Sequence, residues 1–473
     1  MRFAKPRQVA VGALSCALAC ALSCGLNGCS FQSTPSSSVP TSCPVGTATV
    51  GASSSLLTTS PNNKIPVYVA DPSTTGVYGY QNEPLVSVTI CSPGHTLASQ
   101  CQTVSNILLD TGSFGLRVFR SAITSGGVAL VQQTARFGGV GASYALAECQ
   151  LFGSGADWGP VQKGDVILGN QTASNVSLQV IDHSYPGESA CEPYLPDTDP
   201  CTAGYNGILG VGMFGPDCGP DCASANPAIN VLTEYFLCNG ASCGNVALGQ
   251  PVVVPLGIQV TNPVALMGAS NNNGVSLTFP AVGPSGASGG APGSMTIGIG
   301  PGASNTPLAA VVAYPADPNG ATDCLGSDFN TVLNGVAFGD HSATTTCANV
   351  ASATHSFIDS GSNNYYFPRF GVQLRGCATS SASFCPTSPV AVSASLNGYA
   401  GAPGALAVGF SIASADALVA TGNTAFNNLG ADAGPGLFVW GMPFFYGRTI
   451  YVGISGSSAT FNAGAASGPF WAL

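Results

Sequence analysis

Short apolar segments separated by Gly, Pro, Asn and Ser recur along the chain from Ile65 onward. Runs of this length, bounded by turn-forming residues, are typical of buried β-strands. The clearest are Leu85–Ile90, Asp165–Leu168, Val176–Ile181, Val252–Val254, Met295–Ile299 and Thr449–Val452. One helix is predicted over Asn226–Phe236, because Asn226 is a good N-cap, Pro227 suits the first helical position and apolar residues follow at helical spacing. The pattern as a whole predicts a mostly β protein.

Composition restricts the function. The 473 residues include 11 Lys+Arg against 21 Asp+Glu, a net charge of −10, and no Lys or Arg occurs between Lys163 and Arg369. Binding to a phosphate backbone requires clustered basic side chains, so nucleic acid is excluded as a partner. The 62 Gly and 34 Pro also argue against long helices.

The N-terminus has the features of an export signal. The apolar stretch Val9–Leu26 follows three basic residues, which predicts a secretory signal rather than a membrane span. It ends in Leu-Asn-Gly-Cys29, similar to a bacterial lipoprotein processing site, so residues 1–29 are predicted as the signal and Cys29 as the lipidated residue. Residues 30–63 are rich in Ser, Thr and Pro and predict a flexible tether. The alternative lipidation sites are Cys16, Cys20 and Cys24.

The cysteines fit this compartment. With three Cys in the signal and one lipidated, the 18 of the chain leave an even 14, as expected for a disulfide-bonded exported protein. Proximity in sequence suggests the pairs Cys91/Cys101, Cys191/Cys201, Cys218/Cys222, Cys238/Cys243, Cys324/Cys347 and Cys377/Cys385, with Cys43 and Cys149 left over.

One motif occurs twice. Two apolar residues precede Asp-Thr-Gly-Ser at 110–113 and Asp-Ser-Gly-Ser at 359–362. Two apolar residues and a Gly follow each copy, at Gly210 and Gly441, which lie 100 and 82 residues after the respective Asp. Such a repeat predicts a duplicated, two-lobed protein.

The chemistry of the motif favours a carboxylate pair. Two neighbouring carboxyls share one proton, so one can take a proton from water while the other polarises a carbonyl. Gly allows a sharp turn after each Asp, and the hydroxyls can hold the carboxylates and link the two loops. We therefore predict Asp110 and Asp359 as the catalytic pair. The predicted supporting residues are Thr111, Gly112, Ser113, Ser360, Gly361 and Ser362.

With these motifs the chain resembles the pepsin-like aspartic protease clan, and is most similar to a bacterial exported or lipoprotein branch of it. The resemblance runs from Lys64 to Ser455. It implies two β lobes with a cleft between them, residues 64–260 and 261–473. It also implies that Leu151–Gly155 is the flap over the cleft, with Phe152 and Gly153 contacting the substrate.

The chain departs from the pepsin pattern at several positions. Phe152 stands where pepsins have a Tyr, and Arg117 where they have the Trp that hydrogen-bonds this Tyr. Trp158, further along the flap, is a candidate replacement for the missing Trp. Asn206 and Met442 occupy two positions where Asp is usual.

Other patterns are interpreted as incidental. Gly210–Gly215 matches the dinucleotide-binding fingerprint, but Pro216 follows it where a helix should begin. Gly286–Gly290 matches the nucleophile-elbow motif, but it lies within a low-complexity segment. The stretch Asp182–Asp221 carries seven carboxylates and no Lys or Arg, which predicts a solvated loop, with a weak Ca²⁺ site as the alternative.

The sequence thus predicts a pepsin-like aspartic endopeptidase, with neither cofactor nor metal, acting on a peptide or protein substrate. We expect a monomer that is exported to the outer membrane, cell surface or periplasm, or secreted, and contacts the membrane only through its lipid anchor. The alternative is a catalytically silent pepsin-fold protein that binds a partner of the cell envelope. A plain structural lipoprotein would not need both Asp residues.

Overall fold

The computed structural model describes residues 62–70, 81–124, 126–153, 155–192, 196–230, 234–288, 291–300, 306–307, 310–318, 330–339, 354–369, 374–401, 403–461 and 464–473. The predicted signal, most of the tether, the lipidation site Cys29 and the pair Cys324/Cys347 lie outside these residues. Within them, no helix is long and apolar enough to cross a membrane.

The protein is mostly β, as predicted. The α-helices of the described residues are the short segments Pro200–Ala203 and Ala415–Val419. The 3-10 turns are Ala98–Gln100, Arg120–Ala122, Glu188–Cys191, Leu256–Ile258, Pro263–Leu266, Tyr399–Gly401 and Met442–Phe444. The strands are Lys64–Val69, Pro84–Cys91, Cys101–Asp110, Phe114–Phe119, Val131–Gln132, Thr134–Phe137, Tyr144–Leu151, Ala156–Leu168, Gln171–Ile181, Gly207–Val211, Tyr235–Asn239, Ser242–Gly244, Val246–Ala247, Gln250–Val253, Gly274–Thr278, Pro292–Ile297, Ala313–Pro315, Asn330–Leu333, Val336–Phe338, His355–Ile358, Tyr365–Phe367, Val390–Asn397, Leu406–Ile412, Gly430–Asp432, Leu437–Trp440, Thr449–Gly453, Ser458–Phe461, Gly464–Ser467 and Phe470–Ala472.

The first Asp motif ends a fully buried strand. Cys101–Asp110 pairs antiparallel with Pro84–Cys91 and parallel with Gly207–Val211. Its last seven residues are all buried, which explains the continuous apolar run before Asp110. After the loop the chain returns as Phe114–Phe119, antiparallel to Gly207–Val211. The loop is therefore held between strands on both sides.

The second Asp motif repeats this arrangement. His355–Ile358 pairs parallel with Leu437–Trp440, and the returning strand Tyr365–Phe367 pairs antiparallel with the same segment. A separate sheet of Asn330–Leu333, Val336–Phe338, Val390–Asn397 and Leu406–Ile412 lies in this half of the chain. The shared strand pairing around both Asp motifs makes the molecule a bilobal, pepsin-like fold.

A third set of strands joins distant parts of the chain. Gly274–Thr278 pairs with Thr449–Gly453 on one side and with Pro292–Ile297 on the other, and Lys64–Val69 extends the sheet. Phe470–Ala472 adds to Thr449–Gly453. These strands bring the chain's first and last described segments into one layer.

The predicted helix over Asn226–Phe236 is wrong. The Asn226 side chain does accept a hydrogen bond, from the Ala228 N–H at 3.0 Å, but residues 227–229 form only a turn. Tyr235–Asn239 is a strand that pairs antiparallel with Tyr144–Leu151. Its apolar residues are buried by that sheet, and this long-range pairing overrides the local helical spacing.

Five disulfides join described cysteines, and one of them corrects the predicted pairing. Cys91–Cys101, Cys218–Cys222, Cys238–Cys243 and Cys377–Cys385 are paired as predicted. Cys191, in contrast, bonds to Cys149 across 42 residues, and not to Cys201. Nearness in the folded structure, and not in sequence, decides this bond.

Candidate active site

Each of the two predicted catalytic residues lies at the end of a strand, next to a parallel neighbouring strand. Asp110 is the last residue of its strand and lies opposite Gly210 of the parallel neighbour. Asp359 follows directly after its strand, and its N–H donates to the Trp440 carbonyl at 3.0 Å. Both side chains are completely buried.

The two carboxylates are held by the same set of hydrogen bonds. The Gly112 N–H donates to Asp110 Oδ1 at 2.8 Å, and Ser113 Oγ donates to Oδ2 at 2.5 Å. In the second loop, the Gly361 N–H donates to Asp359 Oδ1 at 2.8 Å and Ser362 Oγ to Oδ2 at 2.6 Å. Each predicted supporting Gly and Ser thus contacts its own Asp, and the carboxylates cannot rotate freely.

Thr111 and Ser360 lock the two loops together. The Thr111 N–H donates to Ser360 Oγ at 3.1 Å, and the Ser360 N–H donates to Thr111 Oγ1 at 2.9 Å. Each hydroxyl also donates across the interface, from Thr111 to the Ile358 carbonyl at 3.1 Å and from Ser360 to the Leu109 carbonyl at 2.7 Å. Four reciprocal bonds therefore fix the relative position of the loops.

The loops approach so closely that Gly112 cannot carry a side chain. A Cβ on Gly112 would lie 2.6 Å from the carboxyl carbon of Asp359. Gly210 and Gly441 are similarly constrained, because a Cβ on either would overlap the backbone of its neighbouring Asp loop. The glycines that the repeat places in and opposite the Asp loops are thus a packing requirement.

The electrostatics of the pair match a shared proton. Burial raises the pKa of Asp359 well above its ordinary value, and the charge and hydrogen bonding of Asp110 raise it further. Hydrogen bonds from Ser362 and Gly361 oppose this shift only in part. Asp359 therefore keeps a proton that Asp110 can share, and the pair can act as acid and base at once.

The predicted flap is a β-hairpin, which we call the flap hairpin. It consists of strands Tyr144–Leu151 and Ala156–Leu168, which pair antiparallel. The turn between them is closed by a hydrogen bond from the Phe152 N–H to the Gly155 carbonyl at 2.9 Å. Phe152 and Gly153 lie at this turn, and the Phe152 side chain is buried.

Sequence comparison places the chain in a family. Residues 59–473 match the family described as "Protein of unknown function (DUF3443)". The chain belongs to the DUF3443 family. The chain matches no curated protein. Among solved structures, the aspartic proteinase from Irpex lacteus is similar, with a TM-score of 0.44 and 14% sequence identity over 82% of this chain and 93% of that one.

In this DUF3443 protein a buried arginine occupies the position beside the flap. The Arg117 side chain is 1% exposed, and its guanidinium carbon lies 5.8 Å from the centre of the Phe152 ring. Its Nη2 donates to Glu148, Gln150 and Asp217 at 3.0, 2.7 and 2.8 Å. In the sequence, Arg117 is apparent only as the residue that stands where pepsins have a Trp.

The acids around Arg117 correct a second expectation. Asp217 belongs to the stretch predicted as a solvated loop, yet it is buried and also accepts from the Tyr235 hydroxyl at 2.6 Å. Burial raises the pKa of Glu148 well above its ordinary value, and Asp217 adds to the shift. A charged residue inside the apolar segment Phe114–Phe119 was the available signal, because such a residue needs buried partners.

The remaining departures have structural roles. Trp158 does not take the place of the missing Trp, because its Nε1 donates to the Tyr185 carbonyl and its ring packs on Phe236, 5.5 Å away. Asn206 donates to the Ser105 carbonyl at 2.8 Å. Met442 is buried, and its N–H donates to the Ser362 carbonyl at 2.6 Å.

Potential metal ligands cluster at three places in the described residues. The groups are Cys91/His95/Cys101, Cys218/Cys222/Glu234 and Cys377/Cys385/Asp416. In each group the two sulfurs are joined as a disulfide, so neither is a thiolate ligand. These groups stabilise loops and do not resemble a metal centre.

Proposed function

We propose that this DUF3443 protein is an aspartic endopeptidase. The supporting observation is the pair Asp110 and Asp359. Both acids are buried, and each accepts hydrogen bonds from the Gly N–H and the Ser hydroxyl of its own loop. A carboxyl pair that serves only to stabilise the fold would not need two matching hydrogen-bond sets. Burying two acids side by side is costly, and catalysis is a reason to retain them.

The proposed reaction uses the different protonation of the two acids. Asp110, the partner of the protonated Asp359, takes a proton from a water molecule, which attacks the scissile carbonyl. Asp359 carries the proton and donates it to the carbonyl oxygen as the tetrahedral intermediate forms. The C–N bond then breaks as Asp110 passes the proton it took from water to the leaving amine, and Asp359 takes back a hydroxyl proton as the carbonyl forms again. Ser113 and Ser362 keep the carboxylates in place during this transfer. The peptide would lie between the Asp loops and the flap hairpin.

We also propose that the protein is exported as a monomer and anchored through lipid at Cys29, in a bacterial lipoprotein branch of pepsin-like proteins. The disulfides are consistent with an oxidising compartment. Labelled fatty acid should enter the parent and the Cys24→Ala variant but not the Cys29→Ala variant. Labelling of Cys29→Ala at the parental level would contradict the anchor.

The second candidate is a silent pepsin-fold protein that binds a partner of the envelope. It is favoured by Phe152, which lacks the hydroxyl of the usual flap Tyr, and by Arg117 in place of the Trp. The intact set of bonds on both Asp residues favours the enzyme instead.

A cleavage assay separates the two candidates. The purified full-length chain is incubated with a peptide library from about pH 3 to about pH 7, beside Asp110→Asn, Asp359→Asn and the matched control Asp182→Asn. The proposal expects the parent and Asp182→Asn to cleave, and both dyad variants to lose at least about a thousandfold in kcat/KM. A parent that neither cleaves nor binds a statine-type inhibitor, with all variants folded, would favour the silent binding protein.

A further inference from the structure

Arg117 contacts three residues on one face of the flap hairpin. Glu148, Gln150 and Phe152 alternate along the first strand and its turn, so their side chains point to the same side of the sheet. The guanidinium donates to the first two and lies over the ring of the third. One side chain therefore contacts the last part of the first strand and the turn of the flap hairpin.

The same guanidinium is fixed to the frame of the first Asp loop. Its Nη1 donates to the Phe114 carbonyl at 2.8 Å, and Phe114 follows directly after Ser113, which bonds Asp110. Its Nη2 donates to Asp217, and Asp217 is held in turn by the Tyr235 hydroxyl. Arg117 thus connects the flap turn to the Asp110 loop through direct contacts.

The chemistry of arginine suits this position. A planar guanidinium donates in several directions in its plane and packs its face against an aromatic ring, which a Lys ammonium cannot do. Burial by itself would lower the pKa of Arg117, but the groups around it, with Glu148 and Asp217 first among them, together raise it and keep the guanidinium charged. Replacing Tyr with Phe at the flap also removes a hydroxyl that would have to be satisfied next to this cation.

We propose that Arg117 is the positioning residue of the flap, and that the Arg117–Phe152 contact replaces the aromatic hydrogen bond that pepsins use there. This inference rests on the proposed function for its catalytic consequence. Its structural consequence, a flap turn held in place by Arg117, does not depend on cleavage.

The first test is a double-mutant cycle on the full-length chain. Arg117→Lys keeps the buried charge, and Phe152→Leu removes the ring face but leaves the ion pairs intact. Each single variant should lower kcat/KM for a cleaved peptide about tenfold, mainly through a higher KM. Added to Phe152→Leu, Arg117→Lys should cost about threefold more and not the full tenfold, because the Arg117–Phe152 contact is already lost and only the bonds to Glu148 and Gln150 remain to be weakened. Matched controls are Arg136→Lys and Phe137→Leu, which make the same changes away from the turn.

Two results would overturn the proposal. One is independence, in which the double variant loses about a hundredfold in kcat/KM. The other is a lower melting temperature for Arg117→Lys with an unchanged KM, since that would make Arg117 a residue of stability alone.

A second measurement keeps this inference separate from the proposed function. Amide hydrogen exchange at residues 148–153 should be at least about fivefold faster in Arg117→Lys, while exchange in the strand Cys101–Asp110 stays at the parental rate. If the parent cleaves no peptide but amide exchange at the flap turn is still faster in Arg117→Lys, the protease proposal fails and the anchoring role of Arg117 stands. Equal exchange at the turn in parent and variant would refute the anchoring role even in an active enzyme.

Discussion

The smallest residue, glycine, allows the two Asp loops to approach each other closely. Gly112 lies against the carboxyl group of Asp359, while its own N–H donates to Asp110. Gly112 thus holds Asp110 through a hydrogen bond, and it can lie close to Asp359 because it has no side chain. This is why the motif requires Gly after Thr111, beyond the need for a sharp turn.

We predict that Gly112→Ala abolishes catalysis while the protein still folds. The added methyl would sit 2.6 Å from the Asp359 carboxyl carbon, so that carboxylate must move away from its partner. A displacement of this kind is expected to lower kcat/KM at least about a hundredfold. Gly257→Ala is the matched control, because its Cβ would meet nothing within 4 Å. Equal activity of the two variants would show that the loops can adapt.

Among the structural elements, the Asp loops depend on each other. Thr111 and Ser360 exchange hydrogen bonds from both backbone and hydroxyl, so neither loop is fully paired without its partner. Each Asp loop is also enclosed by a parallel and an antiparallel strand pairing. The dyad geometry is thus a property of two loops together and of the strands that hold them.

We predict that removing either hydroxyl destabilises the protein. Thr111→Val and Ser360→Ala each leave buried backbone groups unpaired, which should lower the free energy of unfolding by about 1–3 kcal/mol. The double variant should lose less than the sum, because the bonds form one network. Urea denaturation measures all three. The control Thr103→Val removes a half-buried hydroxyl pair with Thr89 and should change the value by less than about 0.5 kcal/mol. Strict additivity would contradict the network.

At the scale of the whole molecule, several buried acids hold protons in the folded state. Burial and the neighbouring Asp197 raise the pKa of Asp157 well above its ordinary value. Burial also raises the pKa of Asp197 to about 6 and raises the pKa of Asp359 well above its ordinary value. In the unfolded chain these acids would release their protons near pH 4.

We therefore predict a protein that is most stable near pH 4 and loses stability as pH rises. Between about pH 4 and pH 6 the folded state binds more protons than the unfolded state, so the free energy of unfolding falls by about 1.4 kcal/mol per pH unit for each such proton. Asp165 differs from these acids. Partial burial would raise its pKa, but hydrogen bonds from Asn175, His95 and Gly94 lower it, so Asp165 contributes stability that is lost only below about pH 4.

Urea denaturation at several pH values checks this prediction. Asp157→Asn should flatten the decline, because the amide has no proton to release, and Asp182→Asn should leave the decline unchanged. A free energy of unfolding that is constant or rises from pH 4 to pH 7 would contradict the protonated cluster.

Most of what could be predicted from the sequence came from patterns of adjacent residues. Apolar runs identified the strands, and the repeated Asp-(Thr/Ser)-Gly-Ser motif identified Asp110 and Asp359 together with the residues that bond them. The strand prediction is confirmed because a strand and its turn are encoded by adjacent residues. The same locality misled at Asn226–Phe236, where a good helix start was overridden by sheet pairing.

By itself, the sequence determined that the protein is mostly β and that the Asp loop occurs twice. Both features are encoded in segments of a few adjacent residues. Only the tertiary structure decided the partners of Arg117, the burial of Asp217 and the Cys149–Cys191 bond. The bonds from Arg117 to Glu148 and Asp217 and the Cys149–Cys191 disulfide join residues 31 to 100 positions apart. Their energies depend on burial and on distances in the folded state, which no local pattern of residues records.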